Sequence, residues 1–196
     1  MAFFGTAMTP FAFYCFLSFA LAWSSETPPN LDEKRVKIMP GFPRDGDLPK
    51  PIAKVLPPFV VTLPILLAFL KDRSKSMQTY QYMGFVLIAS SHILMRWVQR
   101  HCGRFYTFDR SIKTQHKLIT SGPYRYCQNP GYVSLVGTAL GVALFTNFSW
   151  INLLPAFIAA TVLSGIPTEE RMLREEFEES YAEFQRSRAR FIPFVF

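Results

Sequence analysis

The chain is poor in charge and in cysteine. Only 18% of its 196 residues are Asp, Glu, Lys or Arg and 49% are hydrophobic, whereas soluble domains carry about 25% charged residues. This composition excludes a disordered chain and is unusual for a soluble enzyme. The three cysteines, Cys15, Cys102 and Cys127, form no C-x-x-C pair, which argues against a disulfide scaffold or a structural zinc site.

The chain also lacks the motifs of several other function classes. Neither G-x-G-x-x-G nor G-x-x-x-x-G-K-[ST] occurs, which excludes the common nucleotide-binding signatures. The three histidines, His92, His101 and His116, do not lie at metal-ligand spacing from cysteines or carboxylates, so we expect no metal. The net charge of +7 is not spread over a basic face with interleaved aromatics, so we expect no nucleic-acid partner.

Long charge-free runs are what the chain has instead. Residues 126–168 contain no Asp, Glu, Lys or Arg. This run is long enough for two spans of about 20 residues with a turn at Asn147, Ser149 and Trp150. The pattern predicts an all-α integral membrane protein with about five transmembrane helices and a helical hairpin in its C-terminal half. The spans lie roughly at 3–23, 55–70, 76–95, 132–148 and 150–164. The first run also permits a signal peptide, cleaved near Ala20-Leu21-Ala22, although no basic residue precedes it.

The remaining charges predict topology and a surface helix. Residues 96–125 hold seven basic side chains and one acidic one, Asp109, which predicts a cytosolic loop. The hairpin then returns the tail to the same side. There, residues 169–190 form an amphipathic pattern whose apolar stripe is Leu173, Phe177, Tyr181 and Phe184. Within the hairpin, Gly137 and Gly141 predict close helix packing.

Two polar stretches meet at this membrane face, residues 116–132 and residues 169–173. They combine a Gly-Pro turn, several tyrosines, an Asn-Pro helix start and two carboxylates. Aromatic faces attract sulfonium or ammonium groups, so the set suits a cationic ligand without selecting one. Asn129 has an alternative role as the N-cap of the fourth helix, with Pro130 at its first position.

The same stretches carry a family resemblance over residues 96–196. They resemble the isoprenylcysteine carboxyl methyltransferase and phospholipid methyltransferase family, whose pattern is H-x-L-V-T-x-G-x-Y, R-H-P-x-Y, a hairpin, E-E-x-x-L and a closing I-P. The matching residues are His116, Leu118, Ile119, Thr120, Gly122, Tyr124, Pro130, Tyr132, Glu169, Glu170, Leu173, Phe177, Tyr181, Ile192 and Pro193. The resemblance implies a catalytic half at 96–196, preceded by N-terminal spans and a cytosolic loop at 1–95.

The resemblance also implies the activity. It indicates a membrane-embedded enzyme that uses S-adenosylmethionine to methylate a lipophilic acceptor, with O-methylation of an isoprenoid or prenylcysteine-like carboxylate as the main expectation. A phospholipid-type N-methyltransferase is one alternative. Another is a relative that has lost methyl transfer and acts as an isoprenoid isomerase or cyclase, or as a non-catalytic membrane protein. The expected location is the endoplasmic reticulum, with the active site facing the cytosol.

Site roles follow from the same resemblance. His116, Lys117, Leu118 and Ile119 would line the adenosine, and Tyr124 would flank the cofactor. Asn129, Pro130, Gly131 and Tyr132 would lie beside its methionine part, and Glu169 would hold its amino or ribose groups. Glu170 and Asn129 are the expected catalytic residues, with Glu170 as the leading base. Structural roles stay open for Leu118 and Ile119 in the core, Tyr132 in an interfacial belt and Glu170 as the partner of Arg174.

Two positions depart from the family pattern. Gln128-Asn129-Pro130 stands in place of R-H-P, and Asn cannot take up a proton as His can. Gly165 stands where the isoprenylcysteine enzymes have an Arg that is implied to bind the substrate carboxylate. No Lys or Arg lies between Arg125 and Glu169, which leaves Arg125 and Arg171 as candidate substitutes.

Overall fold

Helices dominate the computed structural model, which describes residues 35–38, 63, 65, 67, 78–106, 111–113 and 115–192. Four of them are α1 (Thr79–Cys102), α2 (Pro130–Phe145), α3 (Leu153–Ser164) and α4 (Ile166–Ser187). Short 3-10 turns cover Gly103–Phe105, Gly122–Arg125 and Trp150–Asn152. Strands β1 (Arg35–Ile38) and β2 (Ser111–Lys113) pair antiparallel, with Arg35 opposite Lys113. The predicted all-α class is confirmed for the bulk of this part, and the small ribbon was not expected.

The helices differ from the predicted spans in their limits. The span at 3–23 lies outside the described residues, and within 55–70 only the helical positions 63, 65 and 67 are described. The third predicted span, 76–95, corresponds to α1, which continues to Cys102 through residues assigned to a cytosolic loop. The last two correspond to α2 and α3, with 16 and 12 residues. Among the described helices, none has both the length and the apolar character that a membrane crossing demands.

Helices α1 and α2 pack with their backbones in close approach. A Cβ added to Gly84 would lie 2.6 Å from the carbonyl oxygen of Gly141, and one on Gly137 would collide with the hydroxyl of Ser91. The Ser134 hydroxyl donates to the Ser91 carbonyl at 2.7 Å. This confirms the packing predicted from Gly137 and Gly141 and adds Gly84 as their partner. The buried residues beside this contact are Ile65, Ile88, Val142 and Phe145.

A tight turn joins α2 to α3. Asn147 and Phe148 both adopt positive φ angles, 53° and 51°, so the chain reverses within a few residues. Asn152 closes the turn by donating through Nδ2 to the Ser149 carbonyl at 2.7 Å. The predicted hairpin, with its turn near Asn147 and Ser149, is therefore confirmed. The hairpin places the start of α2 and the start of α4 at the same end of the helix pair α2–α3.

Helix α4 does not run straight. Glu178 interrupts it with φ 45° and ψ −120°, and Glu170 nevertheless contacts Arg190 at 3.0 Å. A straight helix would separate residues 20 apart by about 30 Å, so the chain must reverse at Glu178. The predicted continuous amphipathic helix is wrong in this respect, because the tail is bonded to the loop before α2. The four residues of the predicted apolar stripe are nevertheless covered, with Tyr181 and Phe184 buried and Leu173 and Phe177 half-buried, but the reversal divides them between two helical segments.

Candidate functional site

The loop before α2 is fixed to the C-terminal end of α1. Gly122 opens its 3-10 turn with φ +60°, and a Cβ there would lie 2.6 Å from the ring of His101. His101 Nε2 also lies 3.0 Å from the Ser121 hydroxyl. One residue further along α1, the Cys102 thiol donates to the Tyr124 hydroxyl at 3.3 Å. Only glycine allows both the positive φ and the close ring contact, so the turn that carries Tyr124 requires glycine at this position.

The stretch expected to line adenosine contacts α4 through the ring of His116. The ring of His116 lies 5.0 Å from the ring of Phe105 and 6.0 Å from that of Phe177. Leu118 and Ile119 are half-buried, and Lys117 is exposed. The structure thus brings His116 to the helix that carries the two glutamates. Lys117, Leu118 and Ile119 follow His116 in the same loop.

Asn129 begins α2 through its backbone and leaves its side chain for another purpose. Its carbonyl oxygen accepts hydrogen bonds from the amides of Tyr132 and Val133, both at 3.1 Å, and Pro130 occupies the first helical position. The side chain does not cap the helix. Instead, Nδ2 donates to Glu170 Oε1 at 3.3 Å and to the Arg190 carbonyl at 3.2 Å. The backbone of Asn129 therefore begins α2, as predicted for a helix start, while its side chain bonds to Glu170 in α4.

Glu169 lies among the tyrosines of the site. The Tyr132 hydroxyl donates to Glu169 Oε2, which places the predicted methionine-side tyrosine against the predicted amino-group ligand. Burial raises the pKa of Tyr124 well above its ordinary value, and the Cys102 thiol and the Glu169 charge raise it further. Burial also raises the pKa of Tyr181, with added effects from the charges of Glu170 and Glu169. Tyr124 and Tyr181 are therefore neutral hydroxyls at physiological pH.

Glu170 forms a two-point ion pair with Arg190. Arg190 Nε donates to Oε1 at 3.1 Å and Nη2 donates to Oε2 at 3.0 Å. The Glu170 side chain is 14% exposed and that of Arg190 is 48% exposed. The expected partner of Glu170, Arg174, instead donates to Gln185 Oε1 at 2.7 Å. The i,i+4 pairing is thus replaced by a long-range pair, because the reversal at Glu178 returns the tail to the start of α4.

Gln128 ties this tail to the loop. Its amide donates to the Ala189 carbonyl at 2.8 Å, and its side-chain Nε2 donates to the carbonyls of Gln185 at 2.9 Å and Arg188 at 2.7 Å. Cys127 and Ala189 form a parallel bridge beside these bonds. Gln128, which stands where the family has an arginine, therefore fixes the C-terminal tail to the loop before α2.

Sequence reasoning missed Arg190 and the supporting Cys102. Arg190 lies 20 residues after Glu170, beyond the E-E-x-x-L motif, and no local spacing indicates a contact between them. Arg125 and Arg171, the expected substitutes for the absent cation, are exposed. Gly165 is buried between α3 and α4. Among the described residues, no group of three or more His, Cys, Asp or Glu side chains is arranged to hold a metal ion.

Comparisons with known proteins address the same part of the chain. The family model described as phospholipid methyltransferase matches residues 80–180, just over half of the 196 residues. The chain is 31% identical over 121 residues to the probable protein-S-isoprenylcysteine O-methyltransferase of Oryza sativa subsp. indica, and equally to that of subsp. japonica. Each alignment covers 58% of this chain and 61% of the relative. Protein-S-isoprenylcysteine O-methyltransferase B of Arabidopsis thaliana is 28% identical over 119 residues, 57% of this chain and 58% of its own length.

Proposed function

This chain belongs to the phospholipid methyltransferase family, and we propose that it transfers a methyl group from S-adenosylmethionine to the carboxylate of a lipophilic, isoprenylcysteine-type acceptor. One observation carries the proposal: the two separated motifs meet, with Asn129 and Tyr132 bonded to Glu170 and Glu169. The chain spans about 61% of the length of the Oryza relatives. The names of those relatives support the acceptor class.

The donor set of the site fits S-adenosylmethionine. Glu169 and Glu170 would supply carboxylates for a ligand that carries a sulfonium and an ammonium, and Arg190 pairs with Glu170. The rings of Tyr124 and Tyr132 add faces that attract cations, and His116 lies between two aromatic rings. When bound, the cofactor supplies an electrophilic methyl group. The residues of this chain would hold it, orient the acceptor and exclude water.

The state of Glu170 favours an acceptor that needs no base. Both of its oxygens accept from the guanidinium of Arg190, and Oε1 also accepts from Asn129. Because both oxygens already accept hydrogen bonds from this chain, Glu170 is placed to hold Arg190 rather than to approach an acceptor. Tyr124 is a neutral hydroxyl because burial raises its pKa. A carboxylate is already ionised at neutral pH, so its methylation requires only position and desolvation.

A phospholipid N-methyltransferase is the second candidate. The description of the matching family model supports it, and the carboxylates of Glu169 and Glu170 suit an amine headgroup. An ammonium must lose a proton before it can accept a methyl group, and this reaction would require Glu169 or Glu170 as a base. The ion pair engages Glu170, so this alternative would have to use Glu169, which accepts a hydrogen bond from Tyr132.

We also propose that the protein works in a membrane, at the endoplasmic reticulum, with the site facing the cytosol. Support comes from the charge-free residues 126–168 and from large apolar side chains that remain exposed. Trp150, Leu153 and Phe157 are 70–78% exposed around the start of α3. Such a surface is expected to contact lipid or another protein. Retention of the protein in the membrane pellet after alkaline carbonate washing would support membrane integration, and its release into the supernatant would contradict it.

The activity can be tested with purified protein in mild detergent. Radiolabelled S-adenosylmethionine is supplied with either N-acetyl-S-farnesylcysteine or phosphatidylethanolamine, and label is followed into the lipid fraction. We expect label in the farnesylcysteine as a base-labile methyl ester. Label in phosphatidylethanolamine that resists base would favour the second candidate. Absence of transfer to either acceptor would contradict methyl transfer to these two classes.

A further inference from the structure

We propose that Arg190 is the group that binds the carboxylate of the acceptor, an inference that rests on the proposed function. An anionic acceptor needs a cationic or hydrogen-bonding group near the methyl-transfer point. Residues 126–168 supply no cation, and among the described residues neither Arg125 nor Arg171 forms an ion pair with Glu169 or Glu170. Among the described residues, Arg190 is the basic side chain that contacts Glu170, within the junction of the two motifs.

The guanidinium of Arg190 has a second edge available. Glu170 occupies the edge formed by Nε and Nη2. Within the part of the chain that the structure describes, Nη1 has no hydrogen-bond partner. A guanidinium is a planar fork whose end-on edge, Nη1 with the outer hydrogen of Nη2, can bind a carboxylate through two parallel bonds. Arg190 can therefore hold Glu170 and a second carboxylate at the same time.

The surroundings of Arg190 suit a ligand that is partly apolar. Its side chain is 48% exposed and that of Glu170 is 14% exposed, so the guanidinium is the more accessible member of the pair. The guanidinium carbon lies 5.6 Å from the centre of the Phe191 ring, and Ile192 beyond it is 54% exposed. A carboxylate on a prenylated cysteine presents an anionic end beside an apolar chain, which matches this combination.

The fold holds Arg190 in position from three directions. The reversal at Glu178 returns the tail towards Glu170. Gln128 fixes the preceding backbone by donating to the Arg188 carbonyl, and Asn129 donates to the carbonyl of Arg190 itself. Gln128 and Asn129 are therefore positioning residues for Arg190. This explains in physical terms why two amides at these positions are compatible with a carboxylate acceptor.

The test compares acceptors that differ only in charge. Binding of N-acetyl-S-farnesylcysteine and of its carboxamide is measured by calorimetry in the presence of S-adenosylhomocysteine, and KM for the acid is measured with S-adenosylmethionine. In Arg190→Gln we expect the acid to lose about 10- to 100-fold in affinity, the size of a lost charge-assisted contact. The carboxamide and S-adenosylmethionine should bind as they do to the wild type.

Two further variants separate binding from folding. Arg190→Lys keeps a charge opposite Glu170 but lacks the planar fork, so it should fold and still lose much of the preference for acid over carboxamide. Arg186→Gln is the matched control, because Arg186 also pairs with a glutamate at 3.0 Å but on an exposed surface. It should retain the wild-type preference.

Three results would overturn the inference. These are an unchanged preference for the acid in Arg190→Gln, an equal loss for acid and carboxamide, and a loss confined to S-adenosylmethionine binding. The last result would assign Arg190 to the cofactor. Failure of the proposed function looks different, because the wild type itself would then transfer no methyl group to the acid.

Discussion

Replacing Glu178 by glycine should stabilise the protein. Glu178 is an exposed residue with φ 45° and ψ −120°, a backbone region that L side chains rarely occupy and glycine enters freely. The reversal of α4 requires this conformation, since it brings Arg190 onto Glu170. The native residue therefore carries a strain that glycine would remove without changing the path of the chain.

The expected gain follows from two opposing terms. Strain of this kind costs about 1–3 kcal/mol, while glycine loses about 0.5–1 kcal/mol through the greater freedom of the unfolded chain. The net stabilisation should be about 0.5–2 kcal/mol. For a chain of this size, each kcal/mol raises Tm by about 2–4 °C.

Thermal and urea unfolding of the detergent-solubilised protein would measure this gain, with Glu178→Ala and Glu183→Gly as controls. Alanine retains a Cβ and should give no comparable stabilisation. Glu183 is an exposed helical residue of α4, so glycine there should destabilise by about 1 kcal/mol. If Glu178→Gly destabilises as much as Glu183→Gly, residue 178 is helical in solution and the reversal is wrong.

Two other perturbations test the packing and the buried tyrosines. Gly84→Ala should destabilise by about 1–3 kcal/mol in urea unfolding, because its Cβ would meet the α2 backbone at 2.6 Å, whereas Gly131→Ala, with 3.9 Å to its nearest neighbour, should be neutral or stabilising; equal effects would contradict the α1–α2 contact. Burial raises the pKa of Tyr124 and Tyr181, so the unfolded state loses these protons first and stability should fall as the pH rises above about 10. Tyrosinate absorbance and circular dichroism should show both residues ionising only as helix is lost; reversible ionisation of every tyrosine with the helices intact would refute this.

The sequence predicted the local elements and the motif pairing well, for physical reasons. The charge-free run required apolar helices, and the Asn147–Ser149 region could only be a turn between them. Gly137 and Gly141 have no side chain to separate two helices, so close packing followed directly. Because the hairpin returns the chain to its starting end, the meeting of residues 128–132 with Glu169 and Glu170 was predictable without coordinates.

The path of the tail could not be predicted in this way. An unbroken apolar stripe in residues 169–190 indicates one helix, and a glutamate gives no signal of a positive φ. The reversal at Glu178 depends on contacts with the distant loop, above all those of Gln128. Tertiary bonds override local helix preference here, so the Arg190–Glu170 pair was invisible to spacing arguments.

The predicted limits of the spans shifted by a few residues at α2 and α3 and by more at α1, for a related reason. Charge-free length alone marks a segment as apolar, but it does not say where a helix begins and ends. Pro130 and the turn after Phe145 limit α2 to 16 residues, while α1 continues through Arg96 and Arg100 to Cys102 because a basic residue does not end a helix. Helix termini depend on caps and turns, which composition describes poorly.

The most direct test of the central claim is calorimetric binding of S-adenosylmethionine to the purified protein and to its Glu169→Ala variant. Glu183→Ala, an exposed change on the same helix, serves as the control, and circular dichroism checks that all three proteins are folded. The account predicts saturable binding by the wild type and by Glu183→Ala, and its loss in Glu169→Ala. Undiminished binding in folded Glu169→Ala would contradict the assigned site, and no binding by the wild type would contradict the proposed cofactor.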